Sequence, residues 1–207
     1  MAALPEDLLV FSRRLVREGA ARALGKAVKA DLSAPPLFLD ATAGNGVDSE
    51  FLALLARDLG GGIEVAAFDV QEEALRNTGE RLEKAGLSGA VRLIPASHAD
   101  LVPQLGPARR CLAAMYNLGF LPGSASPLST GAESSTASLA ALQALMLPGG
   151  VISVHCYTGH PGGAEEHGAV RDWAEGLPWQ DWRTLRYEFC NKPRNREVLY
   201  LAVKLPD

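Results

Sequence analysis

The chain predicts an α/β fold: one seven-stranded, mostly parallel sheet with a single antiparallel strand and helices on both faces. Three observations predict it. Short apolar runs alternate with helix-patterned segments from about residue 37 onward, as strands joined by helical crossovers do. A glycine-bearing turn, Asp40-Ala41-Thr42-Ala43-Gly44-Asn45-Gly46, separates the first such strand from the first such helix. The last two strands have only a polar turn between them, so they pair antiparallel and one enters the sheet reversed.

The elements follow in order. Residues 5–30 carry Leu8, Phe11, Leu15, Leu24 and Val28 at roughly helical spacing, with basic residues filling much of the rest. This predicts a helix, within an N-terminal extension over residues 1–34, stopped by Pro35 and Pro36. Residues 37–39 read as a buried parallel strand entering Asp40. A helix over 47–59 ends at the glycine run 60–62. A strand over 63–68 ends in Asp69, and a helix over 71–85 stops at Gly86. Strands at 91–94 and 111–116 follow, then a long polar loop over 118–134. A helix over 136–147, a turn at Pro148-Gly149-Gly150 and a strand over 151–157 come next. A helix over 165–175 and strands near 182–190 and 198–204 complete the chain.

Composition narrows the function classes. At 207 residues and 47% hydrophobic, the chain can bury one full core, and it reads as a single domain over 1–207. The net charge of -4 argues against non-specific coating of nucleic acid, while leaving room for a local basic patch. Cys111, Cys156 and Cys190 are far apart and odd in number, which suits reduced thiols. Glu6 and Asp7 stand where a signal peptide would carry positive charge, and no apolar run approaches the ~20 residues that span a bilayer. The expectation is a soluble, cytoplasmic protein without membrane contact.

The glycine turn points to a nucleoside cofactor. Glycine lets a ligand approach the main chain, and the helix that follows favours negative charge at its start. A dinucleotide turn would carry Gly or Ala where Ser49 stands. Asp40 at the strand end suits a ligand with positive charge, such as S-adenosylmethionine. Asp69, 23 residues past Gly46, is placed to accept hydrogen bonds from ribose hydroxyls, with Gln71 beside it. Asp69 also reads as a helix cap, and Ser97-His98 past the third strand reads equally as an adenine contact or a surface loop.

The end of the fourth strand, Tyr116-Asn117-Leu118-Gly119-Phe120, has the shape of an amine-methylating site. An Asn carbonyl can accept from a neutral amine and aim its lone pair at a methyl group. Phe120 can stack on a planar base. Catalysis would come mainly from orientation and exclusion of water. Tyr157 and His160 past the fifth strand are candidates to assist, with a positional role weighed above proton transfer.

With these residues in view, the sequence resembles the rRNA-methylase family of Rossmann-like class I S-adenosylmethionine-dependent methyltransferases. The matching stretches are residues 40–48, 67–71, 97–98, 116–123, 134–136 and 157–163, with a late match at 189–191. The resemblance implies that Asp40, Gly44, Asn45 and Gly46 hold the amino-acid side of the cofactor, with Thr42 and Asp48 also among the cofactor-binding residues. It places Asp69, Gln71, Ser97 and His98 on its nucleoside side, and Asn117 between cofactor and target. It implies S-adenosylmethionine as cofactor, S-adenosylhomocysteine as product, and tRNA as partner. The reaction implied is N-methylation of the aminomethyl group of wobble 5-aminomethyl-2-thiouridine. The family usually has Gly-Gly-Asp-Lys after Leu-Pro, whereas this chain has Gly123-Ser124-Ala125-Ser126-Pro127.

Asn191, Lys192, Arg194 and Arg196 lie in a turn whose surroundings, residues 183–197, carry a local excess of three positive charges, which suits RNA phosphates. Residues 1–30 carry the same excess. His155, His160 and His167 lack ligand spacing for zinc, so no metal is expected. Ser134, Ser135 and Thr136 read as caps of the following helix. A second copy of the chain is an open partner. The rival readings are an rRNA base methyltransferase, a small-molecule amine methyltransferase, a nicotinamide oxidoreductase and a non-catalytic RNA-binding module.

Overall fold

A computed structural model of the chain describes residues 7–27, 32, 34–124 and 128–206. Seven strands form one sheet in the order β3-β2-β1-β4-β5-β7-β6. They are β1 (Leu37–Asp40), β2 (Glu64–Asp69), β3 (Arg92–Pro95), β4 (Cys111–Leu118), β5 (Met146–Tyr157), β6 (Trp182–Tyr187) and β7 (Glu197–Lys204). β7 runs antiparallel to both β5 and β6, so it is the one reversed strand, as the missing crossover helix predicts.

Strand parity divides the core into two layers. Leu37 and Leu39 of β1 face α5 (Ala132–Leu145) and α6 (Gly163–Gly176), while Phe38 between them faces the other side. That second layer is built from α1 (Leu8–Ala27), α2 (Val47–Asp58) and α3 (Glu72–Lys84). α1 therefore lies on the sheet, with the Ser12 hydroxyl 2.6 Å from that of Ser153 on β5. A Cβ on Gly19 would sit 2.9 Å from Val151, so this helix lies against β5 with no room to spare. The parts of the expected helix at 5–6 and 28–30, Val28 included, lie outside the described residues.

Three expectations are corrected. The turn at Pro148–Gly150 lies inside β5, which begins at Met146; the extra residues form an irregularity between the Cys111–Met146 and Ala113–Val151 pairs. The segment after β3 contains a 3₁₀ turn, His98–Asp100, and a short helix, α4 (Leu101–Leu105). Ser134, Ser135 and Thr136 do not cap α5, which is already helical at Ala132 and starts from Gly131 without a side-chain cap. Ser134 and Thr136 bond carbonyls of their own turn, and Ser135 donates to Glu166.

Candidate active site

Strand order reverses between β1 and β4, and the sheet opens a crevice beyond the strand tips there. A cleft of about 480 Å³ fills that crevice, within the range of small-molecule sites. The glycine turn forms its floor. Gly44 adopts φ +53°, and its N–H donates to Asp69 Oδ2 at 3.0 Å. Asp69 Oδ1 accepts from the Gln71 N–H at 2.9 Å. The carboxylate is thus held by two main-chain donors at the tip of β2, half-buried and facing the cleft.

Asp40 and Gly46 do not line the cleft; both lie beneath it. Asp40 is fully buried, accepting from the Thr42 N–H at 3.1 Å and the Ser49 hydroxyl at 2.6 Å. Burial, and then the nearby Asp48 carboxylate, push its pKa up to about 7. Gly46, at φ +78°, sits where a Cβ would come 2.8 Å from the Thr78 Cα, so its smallness serves the packing of α2 on α3. Asn45 lines the cleft and ties its floor to its roof: its amide donates to the Pro122 carbonyl and accepts from Asn77.

The far wall is β4. The Asn117 main-chain N–H donates to Thr42 Oγ1 at 2.8 Å, joining the ends of β1 and β4. The Asn117 side-chain amide donates to Asp48, whose other oxygen is ion-paired to Arg13 at 2.6 Å. Asn117 Oδ1 is buried without a hydrogen-bond partner. Phe120 stands at the mouth, 56% exposed, with Val47, Val70 and Leu128 forming an apolar rim. Tyr157, at the end of the neighbouring strand β5, lines the cleft beside Gly119, and burial raises its phenol to about 12, so it keeps its proton. Ser97 caps the 3₁₀ turn, and His98 packs edge-on against Tyr116; both line the cleft, and burial holds His98 below the usual histidine range.

His160 does not line the cleft. It packs edge-on against Phe120, its Nδ1 2.9 Å from the Pro161 carbonyl. Asn191, Lys192, Arg194 and Arg196 are exposed on the β6–β7 turn, also off the cleft. The Arg196 carbonyl accepts from the Thr158 N–H, which joins that turn to the end of β5. Residues 125–127 of the divergent loop lie outside the described residues.

The sequence reading missed the contribution of α1. Leu9 and Arg13 form part of the cleft wall. Arg13 looks like its neighbours Arg14 and Arg17 in sequence, and only the docking of α1 on β5 singles it out. Among the described residues no group of histidine, cysteine or carboxylate side chains could hold a metal ion, and no helix is long and apolar enough to cross a membrane.

The cleft fits a nucleoside. A twice-anchored carboxylate faces the space where ribose hydroxyls would lie, and apolar Val70 and Ala96 offer a surface for a purine. Comparisons with known proteins agree. Residues 65–203 match the model of the family described as “Putative rRNA methylase”. A chloroplastic tRNA (mnm(5)s(2)U34)-methyltransferase from Arabidopsis thaliana is 34% identical over 160 residues, 75% of this chain. The chain spans 58% of that relative's length. The crystal structure of a “putative rRNA-methylase” from Clostridium thermocellum superposes with a TM-score of 0.76 at 30% identity, covering 88% of this chain and 97% of that one. A “putative methyltransferase” from Streptococcus mutans, in complex with SAH, gives 0.79 at 26% identity, covering 98% and 100%.

Proposed function

Because the chain belongs to the “Putative rRNA methylase” family, we propose that it is an S-adenosylmethionine-dependent methyltransferase that N-methylates the aminomethyl group of 5-aminomethyl-2-thiouridine at the tRNA wobble position. The observation that carries this reading is Asn117 at the end of β4, in the cleft wall with an unpartnered amide oxygen, three residues from an exposed aromatic at the mouth. The Arabidopsis relative, whose name specifies that nucleoside, supports the same target.

When bound, S-adenosylmethionine supplies the methyl group: the amine lone pair forms the N–C bond as the C–S bond breaks and its electron pair stays on sulfur. The chain's residues orient the partners. Asp69, fixed by Gly44 and Gln71, accepts from ribose hydroxyls. Asn117 Oδ1 accepts an N–H of the amine and turns its lone pair inward. Phe120, braced by His160, stacks on the splayed base. Orientation of this kind accounts for much of the barrier reduction in a two-reactant displacement. The amine must arrive neutral. Tyr157 cannot take its proton near neutral pH.

Nucleoside mass spectrometry of tRNA and rRNA from a deletion strain tests the proposal. Unmethylated 5-aminomethyl-2-thiouridine should accumulate in tRNA. The second reading, favoured by the family's own description, is methylation of an rRNA base; it predicts an unchanged wobble uridine and a lost rRNA mark.

A further inference from the structure

The side chain of Asn117 has two polar ends, and only one is free. Its Nδ2 donates to Asp48 Oδ2. Asp48 is 4% exposed, and its Oδ1 accepts from Arg13 Nε at 2.7 Å and Nη2 at 2.6 Å. A carboxylate can only accept, so the amide cannot turn over: the reversed amide would set Oδ1 against the carboxylate, acceptor to acceptor. Asn117 Oδ1 is left buried with no partner. A buried, unpaired acceptor is costly, and a ligand N–H restores its hydrogen bond.

We propose that Asp48, held by Arg13, is a positioning residue that fixes the polarity of the target site. It makes Asn117 an obligate acceptor, so the site takes a nitrogen that carries hydrogen, an exocyclic or aliphatic amine. It turns away nitrogens that only accept, such as purine N7, because they would face Oδ1 lone pair to lone pair. Asp48 thus acts through Asn117, and Arg13 acts through Asp48. This inference rests on the amine-methylation reading above and assigns the residues that set it.

The test uses purified full-length protein, tRNA carrying 5-aminomethyl-2-thiouridine, and S-adenosylhomocysteine as a binding probe. Asp48→Asn keeps the shape but frees the amide to turn, and kcat should fall about tenfold or more while S-adenosylhomocysteine affinity stays within about twofold. Asn117→Asp alone sets two carboxylates face to face and should be worse. The double variant Asp48→Asn/Asn117→Asp restores a donor at 48 and an acceptor at 117, and should recover most of the lost kcat. A purely structural role for Asp48 predicts no such rescue. Arg13→Gln tests the chain from its other end, should Asp48→Asn not fold, and should lower kcat with the cofactor KM unmoved. The proposal is overturned if Asp48→Asn or Arg13→Gln leaves kcat unchanged. It is overturned if the double variant is no better than Asn117→Asp. It is also overturned if the loss falls on S-adenosylhomocysteine affinity, because the orphan oxygen then serves the cofactor. If the wild type leaves the aminomethyl group unmethylated, the functional reading fails instead. The same variants are then measured on the nucleoside found by the deletion strain, and an acceptor-only nitrogen there overturns the polarity claim.

Discussion

Asp40 and Asp69 are the two acids that the sequence sets at strand ends near the glycine turn, and the fold gives them opposite tasks. Asp69 faces the cleft; Asp40 is sealed under it. Residue types and spacing locate the turn, but which way a strand-terminal side chain points depends on how the turn closes over it. Ser49, which argues against a dinucleotide turn in sequence, is the hydroxyl that anchors Asp40. The buried acid has a pH signature. Its folded pKa of about 7 lies above the ordinary value of 3.8, so the folded state binds more protons between them. Its stabilisation is full below the lower value and is lost as pH rises through the upper one. Asp40→Asn should flatten the decline in Tm between about pH 4 and pH 7, as thermal melts across that range would show. Gly46→Ala should cost about 1–3 kcal/mol in chemical denaturation, since a positive φ and the Thr78 backbone both oppose a Cβ.

At the scale of elements, periodicity locates every strand and long helix, and boundaries shift where glycine or serine misleads. Gly149 at φ +85° is a turn residue that β5 absorbs as an irregularity, because pairing with β4 resumes beyond it. The serines of α5 look like caps, yet Ser135 points across to α6. There Glu166, 1% exposed, accepts from Ser135 at 2.6 Å and from Thr130 at 2.8 Å. Thr130 lies in the loop that walls the cleft, so one carboxylate fastens that loop to two helices. Nothing in the sequence signals this clasp, since its partners are 36 and 31 residues away. Glu166→Ala should destabilise the fold by about 2–4 kcal/mol in urea titrations, because the buried Ser135 hydroxyl and the part-buried Thr130 hydroxyl both lose their acceptor. The same variant should open the loop segment at 128–131 to limited proteolysis before global unfolding.

For the molecule as a whole, the reversal of β7 decides where the charge lies. A parallel last strand would begin at the sheet edge opposite the cleft. An antiparallel one begins beside Tyr157, which pairs with Glu197, and brings the basic β6–β7 turn to the cleft's own edge. Lys192 is already paired to Glu197 at 2.7 Å, so Arg194 and Arg196 should carry more of any phosphate contact. On the proposed tRNA reading, replacing both by Gln should raise the KM for tRNA and shallow its salt dependence by about one to two in log–log slope, leaving S-adenosylhomocysteine binding unchanged. Undiminished tRNA affinity across salt would remove this turn from the RNA surface.

The docking of α1 also has a bearing on how the chain becomes competent during synthesis. The helix emerges before the sheet it packs on, and its seat is made late: Ser12 meets Ser153 across 141 residues of chain, and Phe11 packs edge-on against Tyr187. The glycine turn can form locally within the first seventy or so residues. The wall that Leu9 and Arg13 add to it must wait for β5, β6 and β7. Closing that contact is a step across 141 residues of chain, and loop closure of this length carries an entropic cost. Ligand that binds only the finished cleft would pull that step forward by mass action, making the cofactor a folding partner as well as a reagent.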